Sequence, residues 1–182
     1  ARCGEVSLGP IALAADLTTA EELCGERVDA LIGVDFFRDR AVQIDYRGRR
    51  IRVMDRPPRR RAAVKLPISF QNGVMCVPVS LNGSKPRLVR LDTGCNEAVH
   101  WVVPRKDGGT DERGVSLGFV TDARDIAFAR LKLGTVTFPD VEAALHGQEI
   151  FPGEAGMLGN GILSKFLVTV DWRRGEVLLH EE

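Results

Sequence analysis

The residues whose types and spacing carry the clearest chemical signature are Asp92-Thr93-Gly94, which follow the apolar run Leu88 to Leu91 and precede Ala98-Val99. An Asp at a strand end with Gly two positions on has two physical readings. In the first, its carboxylate caps an Asx-type turn and Gly eases the backbone through it. In the second, the turn holds the carboxylate out where it can take a proton from water. Other titratable groups offer less. Asp45 and Asp171 sit at strand ends beside arginines and read as polar hairpin residues. His100, His146 and His180 are scattered and read as packed or exposed structural residues. No Gly-x-Ser-x-Gly supports Ser-His-Asp chemistry, and Gly159-Asn160-Gly161 lacks the Lys of a phosphate loop. Cys3, Cys24, Cys76 and Cys95 form no Cys-x-x-Cys and no closely spaced Cys/His set, so no metal and no cofactor is expected.

The elements that would position Asp92 are short apolar runs separated by turn signals, which predict a mostly β chain. Val74 to Leu81 and Leu88 to Leu91 flank Asn82-Gly83, a strong hairpin signal. Leu117 to Val120 and Ile126 to Leu133 flank residues 121–125 and predict a second hairpin. Phe166 to Val170 and Glu176 to Leu179 flank Arg173-Arg174-Gly175 and predict a third. Helix is confined to Thr18 to Cys24, with Thr18 or Thr19 as N-cap, and to single turns at Phe36 to Arg40 and Ile162 to Phe166.

Internal repetition organises these elements. Residues 29–53 align without a gap on residues 155–179 at an offset of 126. Ile32-Gly33 matches Leu158-Gly159, and Val42 and Ile44 match Val168 and Val170. Asp45-Tyr46-Arg47 matches Asp171-Trp172-Arg173, while Asp35 matches Gly161, which argues against a shared catalytic role for it. The period is too long for a solenoid and points to two related β lobes. The stretch from Lys65 to about Ile126, some 61 residues that include Asp92, has no partner in the first copy. The expected organisation is the second half of a first lobe at 1–53, a linker at 54–64 marked by Pro57-Pro58 and arginines, and a complete second lobe at 65–182.

The 182 residues, 44% hydrophobic and 27% charged, suffice for one ordinary domain or two small ones and exclude a wholly disordered chain. No apolar run approaches the length that spans a bilayer. Lys+Arg and Asp+Glu both number 25, so the net charge is zero and nucleic-acid binding over the whole surface is not expected. Ten arginines lie between Arg38 and Arg61. A solvated hairpin and linker accounts for them, with a local nucleic-acid or membrane-surface contact as the rival. Four cysteines permit disulfides without requiring them. Cys3 and Cys24 form a pair that an oxidising compartment would allow, whereas Cys95 lies beyond the simple strand register of Cys76. The chain begins at Ala1 without a Met or an apolar leader, so any signal segment is expected to have been removed or to lie outside this sequence.

Leu91-Asp92-Thr93-Gly94 after a hairpin, with Met157-Leu158-Gly159 downstream, resembles the retropepsin-like and pepsin-like aspartic peptidases. The first segment is similar to their catalytic motif. The second is similar to the apolar-Gly segment that supports their active-site loop from beneath. The resemblance covers 65–182 as a whole lobe and 1–53 as half of another. It implies a retropepsin-like acid protease fold and an aspartic endopeptidase that holds an extended peptide in a cleft under a flap, which would fall on residues 115–133. It implies that Asp92 is catalytic with Thr93 and Gly94 as loop partners, and that Trp101, Phe119 and Gly159 line the cleft. The implied chemistry needs two carboxylates about 3 Å apart that share one proton, one acting as base toward water and the other donating to the scissile carbonyl. The sequence departs from the family pattern at Cys95-Asn96, where Ala or Ser and then Ser or Thr are commoner, and it has no Tyr within 115–133. A single DTG leaves three arrangements open. The second Asp comes from an N-terminal half of the first lobe, or from a homodimer partner, or is absent from an inactive peptide-binding or assembly module. The resemblance also implies a lean toward the periplasm or cell envelope.

Overall fold

The computed structural model describes residues 2–3, 6–8, 15–58, 60–103, 114–116, 119–121 and 124–181, with backbone alone at 2–3, 7, 23–24, 114–116, 119–121 and 124–125. The chain is mostly β, as its short runs predict. Strands β1 (Arg2–Cys3) and β2 (Val6–Ser7) pair with each other. Helix α1 (Thr18–Cys24) forms where predicted, but neither threonine caps it. Leu17 holds the N-cap position, and Asp16 accepts from the Thr18 N–H at 2.9 Å and from the Thr18 hydroxyl at 2.6 Å. A carboxylate there does the job of the expected hydroxyl. No helix among the described residues is long and apolar enough to cross a membrane.

A 3-10 turn at Val34–Phe37 leads into β3 (Ala41–Asp45) and β4 (Arg50–Met54), an antiparallel hairpin. Next come β5 (Val64–Pro67), β6 (Ser69–Gln71), β7 (Val74–Leu81), β8 (Arg87–Leu91) and β9 (Val99–Val102). Then follow β10 (Gly114–Ser116), β11 (Phe119–Thr121), β12 (Arg124–Leu133) and β13 (Val136–His146). The chain ends with β14 (Gly156–Leu158), the single turn α2 (Asn160–Leu163), β15 (Leu167–Asp171) and β16 (Glu176–His180).

Two sheets dominate. A seven-stranded sheet in the order β12-β13-β9-β14-β8-β7-β6 closes into a barrel because β12 also pairs with β7, Leu131 opposite Leu81. A five-stranded sheet runs β4-β3-β15-β16-β5. Between them lies one apolar core built from Val64, Leu66, Leu131, Leu133, Val168, Val170, Val177 and Leu179, all nearly inaccessible. Burial on this scale removes apolar surface from water at roughly 25 cal/mol per Å² and is the main term holding the sheets together.

The Asn82-Gly83 hairpin forms as predicted, with Asn82 at φ 50° and Gly83 at φ 77°. Two consecutive left-handed residues are what a tight hairpin of this twist requires. The hairpin at 167–180 also forms as predicted. The one expected between residues 117–120 and 126–133 falls partly outside the described residues. Strand β12 turns at Gly134, φ 55°, and pairs along β13 from Leu133 opposite Val136 to Arg124 opposite His146. Ala129, Leu131 and Leu133 fill the core beside Val141 and Ala143, while Phe128 points to solvent at 72% exposure. The short strands β10 and β11 pair with each other.

The offset of the sequence repeat recurs in the elements. The 3-10 turn, β3 and β4 lie 126 positions before α2, β15 and β16. The two copies meet edge to edge, because β3 pairs antiparallel with β15.

Candidate active site

Asp92 follows the last residue of β8, and the loop it opens, residues 92–98, leads into β9. Strand β14 lies between those two strands, parallel to β8 and antiparallel to β9. The loop therefore arches over the end of β14, and the backbone beyond β14 cradles it. Asp92 N–H donates to Leu158 O at 3.0 Å, Gly159 N–H to Ala98 O at 3.1 Å, and Asn160 N–H to Cys95 O at 2.7 Å. Gly161 N–H donates to Glu97 O at 3.2 Å, and the Asn160 side-chain amide donates to Thr93 O at 2.8 Å. This approach needs residues without side chains. A Cβ on Gly159 would sit 2.4 Å from Glu97 O, and one on Gly161 would sit 2.7 Å from the Ala98 backbone.

Within the loop, Gly94 N–H donates to Asp92 Oδ1 at 2.8 Å, so the Asx turn is real. The same turn leaves the half-buried Asp92 on the wall of a cavity of about 230 Å³. Asp92, Thr93 and Leu163 line it together with Ile32, Gly33 and Phe37. Thr93 is exposed, and its carbonyl rather than its hydroxyl holds the loop. Gly159 lies buried beneath the loop, and Trp101 is packed in the barrel at 6% exposure with the Arg87 guanidinium 4.8 Å over its ring. Phe119 belongs to β11, and its side chain lies outside the described residues, as do the other side chains of 115–125 of the expected flap.

Arg90, two residues before Asp92, also lines the cavity. It is fixed by a bidentate pair with Glu154, at 2.8 and 2.6 Å, and lies 3.6 Å from the Phe151 ring centroid. Glu154 is only 3% exposed, so the pair is largely desolvated and its fork geometry locks the guanidinium plane.

The matched segments of the two copies differ sharply in burial. Met157 and Leu158, beneath the Asp92 loop, are 1% and 0% exposed. Their counterparts Leu31 and Ile32 are 64% and 45% exposed.

On the far side of the loop, three donor groups converge that the sequence reading left apart. Cys95 Sγ lies 3.5 Å from Glu97 Oε2, and His100 Nε2 lies 3.4 Å from the same oxygen. His146 joins them from β13, its Nε2 2.7 Å from His100 Nδ1. The spacing Cys-x-Glu-x-x-His at 95, 97 and 100 was a usable signal. The arrival of His146 was not, because it depends on the parallel β13–β9 pairing. Burial, reinforced by the Glu97 and Asp92 carboxylates, pushes the Cys95 thiol up to about 12. Cys76 and Cys95 are both free, and the side chains of Cys3 and Cys24 lie outside the described residues.

Several arginines of the 38–61 stretch have intramolecular partners. Arg40 donates to Phe36 O, Arg50 to Asp45 Oδ2 and Arg60 to Glu181 O.

No family model and no curated protein matches the chain. Among solved structures, it is similar to a retropepsin-like aspartic protease from Rickettsia conorii, with 10% sequence identity and a TM-score of 0.42 over 64% of this chain and 90% of that one.

Proposed function

We propose that this chain is the Asp92-bearing part of a retropepsin-like aspartic peptidase, in which Asp92 and a second carboxylate activate water against an extended peptide. The observation that carries this reading is a cavity lined both by Asp92 and by Ile32-Gly33, where Leu31 and Ile32 are exposed. A loop seated on that segment, as the Asp92 loop sits on Met157-Leu158-Gly159, would bring a second Asp toward Asp92 across the cavity. Two carboxylates so placed share one proton. The ionised one takes a proton from water, and the protonated one donates to the peptide carbonyl. Gly94 N–H on Asp92 Oδ1 fixes the plane of the carboxylate for that role.

The second carboxylate comes, on this reading, from a segment that completes the first lobe, in the same polypeptide or a separate one. A pairing of two copies through β15 is disfavoured, because β3 of the same chain already occupies that edge.

The test is peptide cleavage, from acidic to neutral pH, by the chain alone and by the chain supplied with a completing first-lobe segment. Cleavage by the completed protein that disappears in Asp92→Asn supports the proposal. Cleavage untouched by Asp92→Asn overturns it. A completed, folded protein that binds peptides and cleaves none is a binding module built on the same architecture.

A further inference from the structure

We propose that Cys95, Glu97 and His100 bind a divalent transition-metal ion, with zinc the best fit, and that the ion ties the Asp92 loop to β9. The proposal is independent of the peptidase reading. Tetrahedral zinc with bonds of about 2.3 Å to sulfur and about 2.0 Å to nitrogen and oxygen sets its donor atoms roughly 3.3–3.5 Å apart. Two edges of the trio have that length already, 3.5 Å from Cys95 Sγ to Glu97 Oε2 and 3.4 Å from His100 Nε2 to Glu97 Oε2, and all three atoms lie within 4.8 Å of one another.

A second observation points to a ligand. His100 is 1% exposed, and its Nε2 makes no hydrogen bond. Leaving a buried ring nitrogen unsatisfied is costly, and native structures rarely do so without a reason. The other nitrogen supplies one. Nδ1 lies 2.7 Å from His146 Nε2, itself buried at 2% exposure. With the proton on Nδ1, His100 donates to His146 and turns the Nε2 lone pair toward Glu97 Oε2. A lone pair facing a carboxylate at 3.4 Å is repulsive unless a cation stands between them. A ligating histidine whose second nitrogen donates to a neighbour is the usual outer support of a metal site.

Thiolate with imidazole favours zinc, cobalt or nickel over magnesium or calcium. Binding forms the metal–sulfur bond and releases the Cys95 thiol proton to solvent. Glu97 provides the way in. Its side chain is 26% exposed, and with Asn96, Val141 and Glu142 it lines an open surface pocket.

The experiment strips the full chain with a chelator, then titrates it with Zn²⁺ and separately with Co²⁺. The expected result is one ion per chain and a cobalt spectrum with thiolate charge-transfer and tetrahedral d–d bands. Cys95→Ser removes the charge-transfer band, while Cys76→Ser, at the other buried free thiol, leaves it unchanged. Glu97→Gln and His100→Gln each weaken zinc by about tenfold or more. Glu97 is partly exposed, so Glu97→Gln keeps the fold, as circular dichroism would verify. No stoichiometric binding to the folded chain, a cobalt spectrum without the thiolate band, or unchanged affinity in Glu97→Gln would each overturn the proposal.

Discussion

Gln43 and Thr169 face each other at the midpoint of the β3–β15 pair, and the Gln43 amide donates to the Thr169 hydroxyl at 3.3 Å. They are also matched residues of the repeat, 126 positions apart, so the local two-fold axis passes between them. The pairings on either side, Asp45 with Leu167 and Ala41 with Asp171, are related by the same axis. Both central side chains are buried, at 3% and 0% exposure. Thr169→Val keeps the shape but removes the acceptor, and the stranded amide should cost about 1–3 kcal/mol in chemical denaturation. Gln43→Leu combined with Thr169→Val should recover most of that loss. A double variant as unstable as the sum of its parts would show that the pair contributes shape rather than a hydrogen bond.

The same substitution at matched glycines should have unequal effects. Gly159→Ala drives a Cβ into the Glu97 carbonyl and should lower stability by about 3 kcal/mol, displacing the Asp92 loop with it. Gly33→Ala meets only the end of the Asp35 side chain, 3.0 Å away, and should stay within about 0.5 kcal/mol in the same urea titration. In a protein whose first lobe is completed, the difference should shrink, because Gly33 would then carry a loop of its own.

Tyr46, directly after β3, ties the β3–β4 hairpin to the candidate site. Its hydroxyl donates to Asn160 Oδ1 at 2.8 Å, and the amide of Asn160 donates to Thr93 O. Burial pushes the phenol up from 10.0 to about 12. The folded state thus holds this proton over a window where the unfolded chain has released it. The resulting stability is fully present below pH 10 and is lost as the pH rises from 10 toward 12. Tyr46 is the only tyrosine, so phenolate absorbance reads it alone. The native transition should fall near pH 12, and Tyr46→Phe should abolish it.

Glu154→Gln leaves the Arg90 guanidinium, only 20% exposed, without its bidentate charged partner. Removing one member of such a pair should cost about 3–5 kcal/mol. Arg90→Met with Glu154→Leu should be far less harmful, since two apolar side chains leave no stranded charge. Thermal and urea unfolding of the single and double variants would separate the two cases.

Local chemistry made part of this molecule legible in its sequence. Asn82-Gly83 encodes a turn in two residues, and the matched Asp45 and Asp171 mark two strand ends that the structure reproduces. Asp92-Thr93-Gly94 announced a turn that presents a carboxylate. What the sequence hid depends on distant pairing. Nothing near Ile126 says that β12 runs the length of β13, because that pairing is settled by which faces the barrel buries. His100 and His146 read as scattered because 46 residues separate them, yet the parallel β9–β13 register brings their rings to 4.9 Å. Neither expected threonine caps the helix, because it starts at Thr18 and the Asp16 carboxylate just outside it takes the Thr18 N–H.

The β3–β15 pairing also sets an order of events in time. Most partners of the barrel lie within 64–181, so that part can collapse on contacts of its own. Residues 29–54 hold one hairpin, β3 with β4, and an isolated hairpin is marginal in water. Its remaining strand contact closes a loop of more than a hundred residues, from Gln43 to Thr169. Such long closures are slow and gain nothing until the distant strand is in place. Refolding should therefore run in two phases, a barrel phase followed by docking of β3 onto a finished β15, and the first half-lobe takes its shape last, from the second.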